Sequence, residues 1–183
     1  MKRCFLAVKF QETEQYVDQI NLISKNLNVR LKITKSENYH FTLHFFGDID
    51  ETQEETLIQH FEEFTFSPFT LVIGRTMSFP NNRLNKTRVL GVQPTKGRME
   101  LIELQSKIAK ELSTLGFKPD NRSYSPHLTI SRIKSGEDIY SLTKTWLDSE
   151  LYEEKILIDH FSLYQSTLTK TGSIYQILSD FKF

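Results

Sequence analysis

Apolar residues recur along this chain with two different periods. They alternate or cluster in "RCFLAVKF" (Arg3–Phe10), "HFTLHFFG" (His40–Gly47), "FTLVIGRTMSFP" (Phe69–Pro80) and "KTRVLGVQP" (Lys86–Pro94). The same holds for "HLTISRIK" (His127–Lys134), "KILIDHFSLYQST" (Lys155–Thr167) and "SIYQILSDFKF" (Ser173–Phe183). Each of these seven runs predicts a β-strand. Between them the period lengthens. Tyr16, Ile20, Ile23 and Leu27 fall three and four residues apart within Glu12–Asn28 and make one helical face. A second helix is expected over Asp50–Phe64, whose acidic start suits the positive end of a helix dipole. A third is expected over Arg98–Gly116, and a short one around Asp138–Leu147.

Written as elements, each half of the chain reads β-α-β-α-β, with one further strand at the end. The middle strand of each series carries the same small polar signature, His40-Phe41-Thr42-Leu43 and His127-Leu128-Thr129-Ile130. The two histidines are 87 positions apart (127 less 40). The pattern predicts a single bilobal domain over residues 1–183 built by internal duplication, approximately 1–80 and 86–183. The expected fold is α+β, with two pseudo-symmetric lobes flanking a central cleft. Each lobe is an antiparallel sheet with covering helices. The polar stretches Asn81–Lys86 and Lys118–Tyr124 are expected as loops near the site.

Alternate side chains of a strand share a face. His40, Thr42 and His44 therefore point one way, and Phe41, Leu43 and Phe45 the other. In the second copy His127, Thr129 and Ser131 oppose Leu128 and Ile130. If a pseudo-twofold axis relates the halves, two imidazoles and two hydroxyls meet. Two histidines can supply a general acid and a general base near neutral pH. Two hydroxyls can hydrogen-bond the non-bridging oxygens of a phosphate. That set suits opening a phosphodiester without a metal.

Charge narrows the possibilities. Lys+Arg and Asp+Glu are 23 each, so bulk charge does not draw this chain to nucleic acid, although a local phosphate pocket needs only a few donors. Cys4 is the single cysteine, which rules out an intrachain disulfide and suggests a reducing compartment. The apolar run near the start is too short for a signal peptide or a membrane helix, so a cytoplasmic monomer is expected, with no membrane partner.

The double motif resembles that of the 2H phosphoesterases. "ENYHFTLHFFGDI", "SPHLTISR", the early "RCFLAVKF" and the late "FSLYQSTLTKTGSIYQIL" are similar to the RNA 2′,3′-cyclic phosphodiesterase branch, also called 2′-5′ RNA ligase-like. The resemblance implies hydrolysis of RNA 2′,3′-cyclic phosphate ends to 2′-phosphomonoesters with no cofactor and no metal, and 2′-5′ ligation as a possible reverse activity. It implies His40 as proton donor, His127 as proton acceptor, and Thr42 and Thr129 as phosphate ligands. Arg132 would contact the terminal nucleotide and Phe5 would offer a stacking face to a base. Strict alternation sets Arg132 opposite His127, so its role requires a bulge, a strand end or a long reach. His44 shares the cleft face and reads as a rim residue.

Other readings are weaker. His40 and His44 have the spacing of a helical zinc pair, but the intervening "FTL" lacks the glutamate of His-Glu-x-x-His. A metal set of His40, His44 and His127 is the remaining zinc alternative. Neither a Walker loop nor a dinucleotide-binding glycine fingerprint occurs. Cys4 reads as a buried apolar residue, and His60 and His160 as structural. A small cyclic nucleotide or a 2′-5′ oligonucleotide is the alternative substrate. A non-catalytic RNA-end binder is the rival of a different class, and it has no need of two titrating groups at matched positions.

Overall fold

The computed structural model describes residues 1–118, 123–170 and 172–183. The expected loop Lys118–Tyr124 therefore lies mostly outside the described residues. In chain order the elements are β1 (Lys2–Lys9), α1 (Gln15–Ser24), β2 (Val29–Ile33), β3 (His40–Ile49), α2 (Glu51–Phe61) and β4 (Phe69–Phe79). They continue with β5 (Val89–Lys96), α3 (Arg98–Thr114), β6 (Leu128–Gly136), α4 (Ile139–Leu147), β7 (Glu154–Ile158), β8 (His160–Leu168) and β9 (Ser173–Lys182).

The strands form two antiparallel sheets, ordered β3-β1-β8-β9 and β2-β6-β5-β4-β7. The α+β architecture of two sheet-based lobes is the one expected. Two elements depart from expectation. β2 lies outside the predicted strands, because "VRLKI" is short and ends among polar residues; it gains its order by pairing with β6. The run Lys155–Thr167 is two strands, broken at Asp159, with β7 in one sheet and β8 in the other. Each sheet also draws strands from both halves of the chain. Leaving β2 aside, the orders are β3-β1-β8-β9 and β6-β5-β4-β7, with β4 lodged among strands of the second half and β8 and β9 among strands of the first.

Local chemistry explains the helix boundaries. Asp50 caps α2: its carboxylate accepts from the Gln53 backbone N–H at 2.8 Å, and the Asp50 N–H donates to the Gln53 side chain at 3.1 Å. Leu57 and Phe61 then face the first sheet, where Phe61 packs edge-on to Phe161 of β8 and near Phe181 of β9. In α3, Leu101, Leu104, Ile108 and Leu112 recur at helical spacing and are all buried. They join a continuous core that contains Leu6, Phe41 and Leu163 of one sheet and Leu90, Val92 and Leu128 of the other. On the second sheet, Trp146 of α4 is wholly buried, and its indole N–H lies 3.1 Å from the Gly91 carbonyl and 3.2 Å from that of Met77. Helices thus occupy one face of each sheet, and the other faces are left to meet across a cleft. Among the described residues, no helix is long and apolar enough to cross a membrane.

Gly91 lies across from Thr129 in the pairing of β5 with β6. A Cβ there would sit 2.5 Å from the Leu128 carbonyl oxygen and 2.9 Å from Met77 Sδ, so the strands have to move apart to admit it. Gly91→Ala should therefore destabilise the fold by about 1–3 kcal/mol. Urea unfolding checks this, the expected result being a lower midpoint at an unchanged slope.

Candidate active site

Each histidine sits at the start of its motif strand, and its ring is clamped from behind. His40 Nδ1 donates to the carbonyl of Asn38 at 2.7 Å, and His127 Nδ1 donates to the carbonyl of Ser125 at 2.8 Å. Both acceptors are two residues upstream. A carbonyl can only accept, so Nδ1 carries the hydrogen in both rings. Nε2 is then the nitrogen each ring offers to the cavity the two share. That cavity, of about 220 Å³, is lined by His40, Thr42, His127, Thr129, Arg132 and Phe5, together with Thr34, Asn38, Phe45, Ser166 and Tyr175. All six residues singled out from the sequence are there.

How Arg132 comes to be among them is a matter of strand register. In the β5–β6 pairing, Leu90 faces Ser131 and Gly91 faces Thr129, so Ile130 is an extra residue on β6. In the β1–β3 pairing, Leu6 faces His44 and Ala7 faces Thr42, so Leu43 is the corresponding extra residue on β3. These are β-bulges, where two residues of one strand oppose a single partner and the alternation slips by one. The result is a consecutive buried pair in each copy, Leu43–His44 and Ile130–Ser131. Beyond the bulge the phase is reversed. Arg132 returns to the side of His127 and Thr129, and Phe45 to the side of His40 and Thr42.

The same slip corrects the expected placement of His44 and Phe45. His44 is only 8% exposed and does not share the face of His40; its ring lies 4.7 Å from that of Phe46. Phe45, expected in the core, is 50% exposed and lines the cavity. A zinc set of His40, His44 and His127 accordingly does not converge. Among the described residues, no group of three or more His, Cys, Asp or Glu is arranged to hold a metal.

Phe5 is in the cavity wall but not at its rim. It is 3% exposed, stacked on Tyr164 at 5.1 Å, with Tyr175 edge-on at 5.1 Å and the His40 ring at 5.0 Å. Its contacts make it the floor under His40; Phe45 and Tyr175 are the less buried aromatic rings of the lining, with the Arg3 guanidinium 4.9 Å from the Phe45 ring. Sequence reasoning missed Thr34, Asn38, Phe45, Ser166 and Tyr175. Asn38, Phe45, Ser166 and Tyr175 all lie in the segments "ENYHFTLHFFGDI" and "FSLYQSTLTKTGSIYQIL" singled out above, but nothing in the local pattern directs them to the cavity; Thr34 lies outside those segments. The other histidines are remote from this cavity: His60 Nε2 lies 3.0 Å from Glu111, and His160 Nδ1 lies 2.7 Å from Asp159. Cys4 is buried, and burial pushes its thiol up to about 11, which keeps it a thiol.

The electrostatics of the two rings differ. Burial holds His40 below the ordinary imidazole value of about 6.5, and the positive charges of His127 and Arg132 lower it further. The bond to the Asn38 carbonyl works in the opposite direction. Removing a positive neighbour should relieve part of the depression. Arg132→Gln is therefore expected to raise the His40 pKa, as followed by NMR titration of the imidazole Cε1–H; an unchanged or lower value would show that Arg132 does not act on this ring.

Known proteins share both the sequence pattern and the fold. The family model described as the 2′-5′ RNA ligase superfamily matches residues 32–169. An RNA 2′,3′-cyclic phosphodiesterase of Methanothermobacter thermautotrophicus is 31% identical over 186 residues, covering 98% of each chain. One of Methanocaldococcus jannaschii is 29% identical over 182 residues, covering 97% of this chain and 99% of the relative. Among solved structures, E. coli LigT complexed with 3′-AMP superposes with a TM-score of 0.72 at 20% identity, covering 100% of this chain and 98% of that one. The TT0787 protein of Thermus thermophilus does so with a TM-score of 0.74 at 19% identity, covering 98% and 97%. These structural likenesses carry the fold.

Proposed function

The chain belongs to the 2′-5′ RNA ligase superfamily, and from that premise we propose that it is an RNA 2′,3′-cyclic phosphodiesterase working by paired histidine acid–base catalysis. The observation that carries this reading is the matched pair of Nδ1-to-carbonyl bonds, which leaves two Nε2 atoms on one small cavity. The names of the related proteins support the substrate class.

In the proposed reaction, His127 Nε2 takes a proton from water as the water oxygen attacks phosphorus. The bond from phosphorus to the 3′ oxygen breaks, and His40 Nε2–H delivers its proton to that oxygen. The products are a 2′-phosphomonoester and a free 3′-hydroxyl, with the proton moved from His40 to His127 and returned through solvent. Thr42 and Thr129 hydrogen-bond the non-bridging oxygens, and Arg132 offsets their charge. With a ribose 5′-hydroxyl in place of water, the same two transfers form a 2′-5′ linkage, and their reversal cleaves it. No step calls on a metal, so turnover should survive excess EDTA. The same cavity organises the duplication: we propose one bilobal domain in which the halves 1–80 and 86–183 each supply one His-x-Thr strand and each contribute two strands to the other's sheet, β2 and β4 in one direction and β8 and β9 in the other. A cytoplasmic monomer is proposed with it.

The lowered proton affinity of His40 has a direct consequence for this assignment. In the free protein the charged ring is disfavoured, which is poor for a proton donor. An anionic phosphodiester between the rings offsets the positive neighbours and favours the charged form again. If His40 is the donor, kcat/KM falls as pH rises through its depressed free-enzyme pKa. The same limb of kcat, which reports the bound state, should lie at higher pH. Coincident limbs, or a reversed order, would assign the donor role to another group. His40→Ala and His127→Ala should each lose about 100-fold or more. The double variant should be little worse than either, because the two act as a unit. Phosphorus NMR of the product of a cyclic-ended oligoribonucleotide tests the leaving oxygen. A 2′-phosphate is expected, and a 3′-phosphate would reverse the geometry while leaving the two-histidine chemistry intact.

A further inference from the structure

The chain is neutral overall, yet its positive charge is not evenly spread around the site. A second cavity, of about 480 Å³, adjoins the histidine pocket and shares Thr34, Asn38, Arg132 and Tyr175 with it. Its lining adds Lys32, Lys35 and Lys134, against one carboxylate, Glu37. Glu37 is already taken up by Lys35 at 3.4 Å. Among the described residues, Lys32 and Lys134 have no carboxylate within ion-pair distance.

The sheet sets these cations in a row. Lys32 of β2 is registered directly across from Arg132 of β6. Lys134, two residues beyond Arg132, is the extra residue of a bulge against β2, where Leu31 faces Ile133 and Arg30 faces Ser135, and it lines the same groove. The row therefore begins at the residue the bulge brought into the histidine pocket and runs outward along the β2–β6 pair. The opposite wall is made by Thr169 and by Gly172, Ser173 and Ile174. A Cβ built on Gly172 would lie 3.8 Å from Lys32 Nζ, so the groove spans both lobes. A further groove adjoins the histidine pocket, sharing Thr42, Phe45, His127 and Arg132 with it, and is of different character. Met77, Phe79 and Tyr124 line it, and Arg75 is the one cation it adds to Arg132.

We propose that the groove of Lys32, Lys134 and Arg132 is a backbone subsite that holds the phosphates immediately 5′ of the reacting end, so that the enzyme is built for oligoribonucleotides rather than for cyclic mononucleotides. The reasoning rests on the cyclic-phosphate reading above. A cyclic phosphate closes the 3′ end of an RNA, so all further phosphates lie on its 5′ side and leave the pocket in one direction. Of these two adjoining grooves, this one presents an uncompensated cationic row of the kind that neutralises successive phosphates without reading their bases. Its wall residues Thr34 and Ser173 add hydroxyl donors and no acidic group.

The test compares Lys32→Gln/Lys134→Gln with the parent protein on two substrates, a tetraribonucleotide with a 2′,3′-cyclic end and a 2′,3′-cyclic mononucleotide. Both lysines are exposed, so the variant should fold. The expected result is a loss of about tenfold or more in kcat/KM for the tetranucleotide, and less than about twofold for the mononucleotide. Equal loss on both, or loss on neither, would overturn the proposal. A second measurement does not depend on turnover: fluorescence anisotropy of a labelled tetranucleotide ending in a 2′-phosphate, at several salt concentrations. Two phosphate contacts should make the log–log salt slope of the parent steeper than that of the variant by about 1.4. Identical slopes would refute the subsite even if catalysis is confirmed. A parent that hydrolyses neither substrate but keeps the slope difference would refute the catalytic reading and uphold the subsite.

Discussion

One bulge near the start of each motif strand decides what the cleft contains. Leu43 in β3 and Ile130 in β6 are accommodated as bulges, and each turns the following residues over. Without them, the residue five places after each histidine would lie buried in the core. With them, that position reaches the cavity, as Phe45 in one strand and as Arg132 in the other. The bulged residues themselves stay in the core, so the slip costs little apolar contact. The carbonyl that a bulge would otherwise leave unpaired is met in the second copy, where the Thr34 N–H donates to Ile130 O at 2.8 Å.

Around those strands the structure restrains the histidines from several sides. The two carbonyl bonds fix the tautomer of each ring. Beneath His40, Phe5, Tyr164 and Tyr175 form a small aromatic cluster separate from the main core, and Tyr175 is edge-on to the imidazole at 5.2 Å. Across from the two threonines stand the two smallest side chains available, Ala7 opposite Thr42 and Gly91 opposite Thr129. Small residues there keep the floor of the cavity clear for a phosphate. The burial that positions His40 also lowers its proton affinity, so positioning and acidity are coupled in the same contacts.

The exchanged strands explain why two lobes can hold such a site without a hinge between them. β8 and β9 complete the sheet that contains His40, and β4 lies in the sheet whose strand β6 begins directly after His127. Moving one lobe against the other would therefore strain connections in both directions. The core is continuous across the lobes for the same reason, with α3 packed against β3 of one sheet and β5 of the other. Two half-sites from distant parts of the chain are thereby kept in register.

Much of this was legible in the amino-acid order. The two His-x-Thr strands, the alternation that buries Phe41 and Leu128, and the helical faces of α1 to α4 all follow from local periodicity, because side-chain direction repeats every two residues in a strand and every 3.6 in a helix. What local periodicity cannot carry is register against a partner strand. Whether Leu43 and Ile130 are bulged depends on how β1 and β5 pair with them, and so the burial of His44, the exposure of Phe45 and the side taken by Arg132 were settled only by tertiary pairing. β2 likewise became a strand because β6 offered it an edge. Asp159 divides one apolar run between two sheets, β7 pairing with β4 and β8 with β1 and β9, a fact of three dimensions that a single strand pattern does not contain.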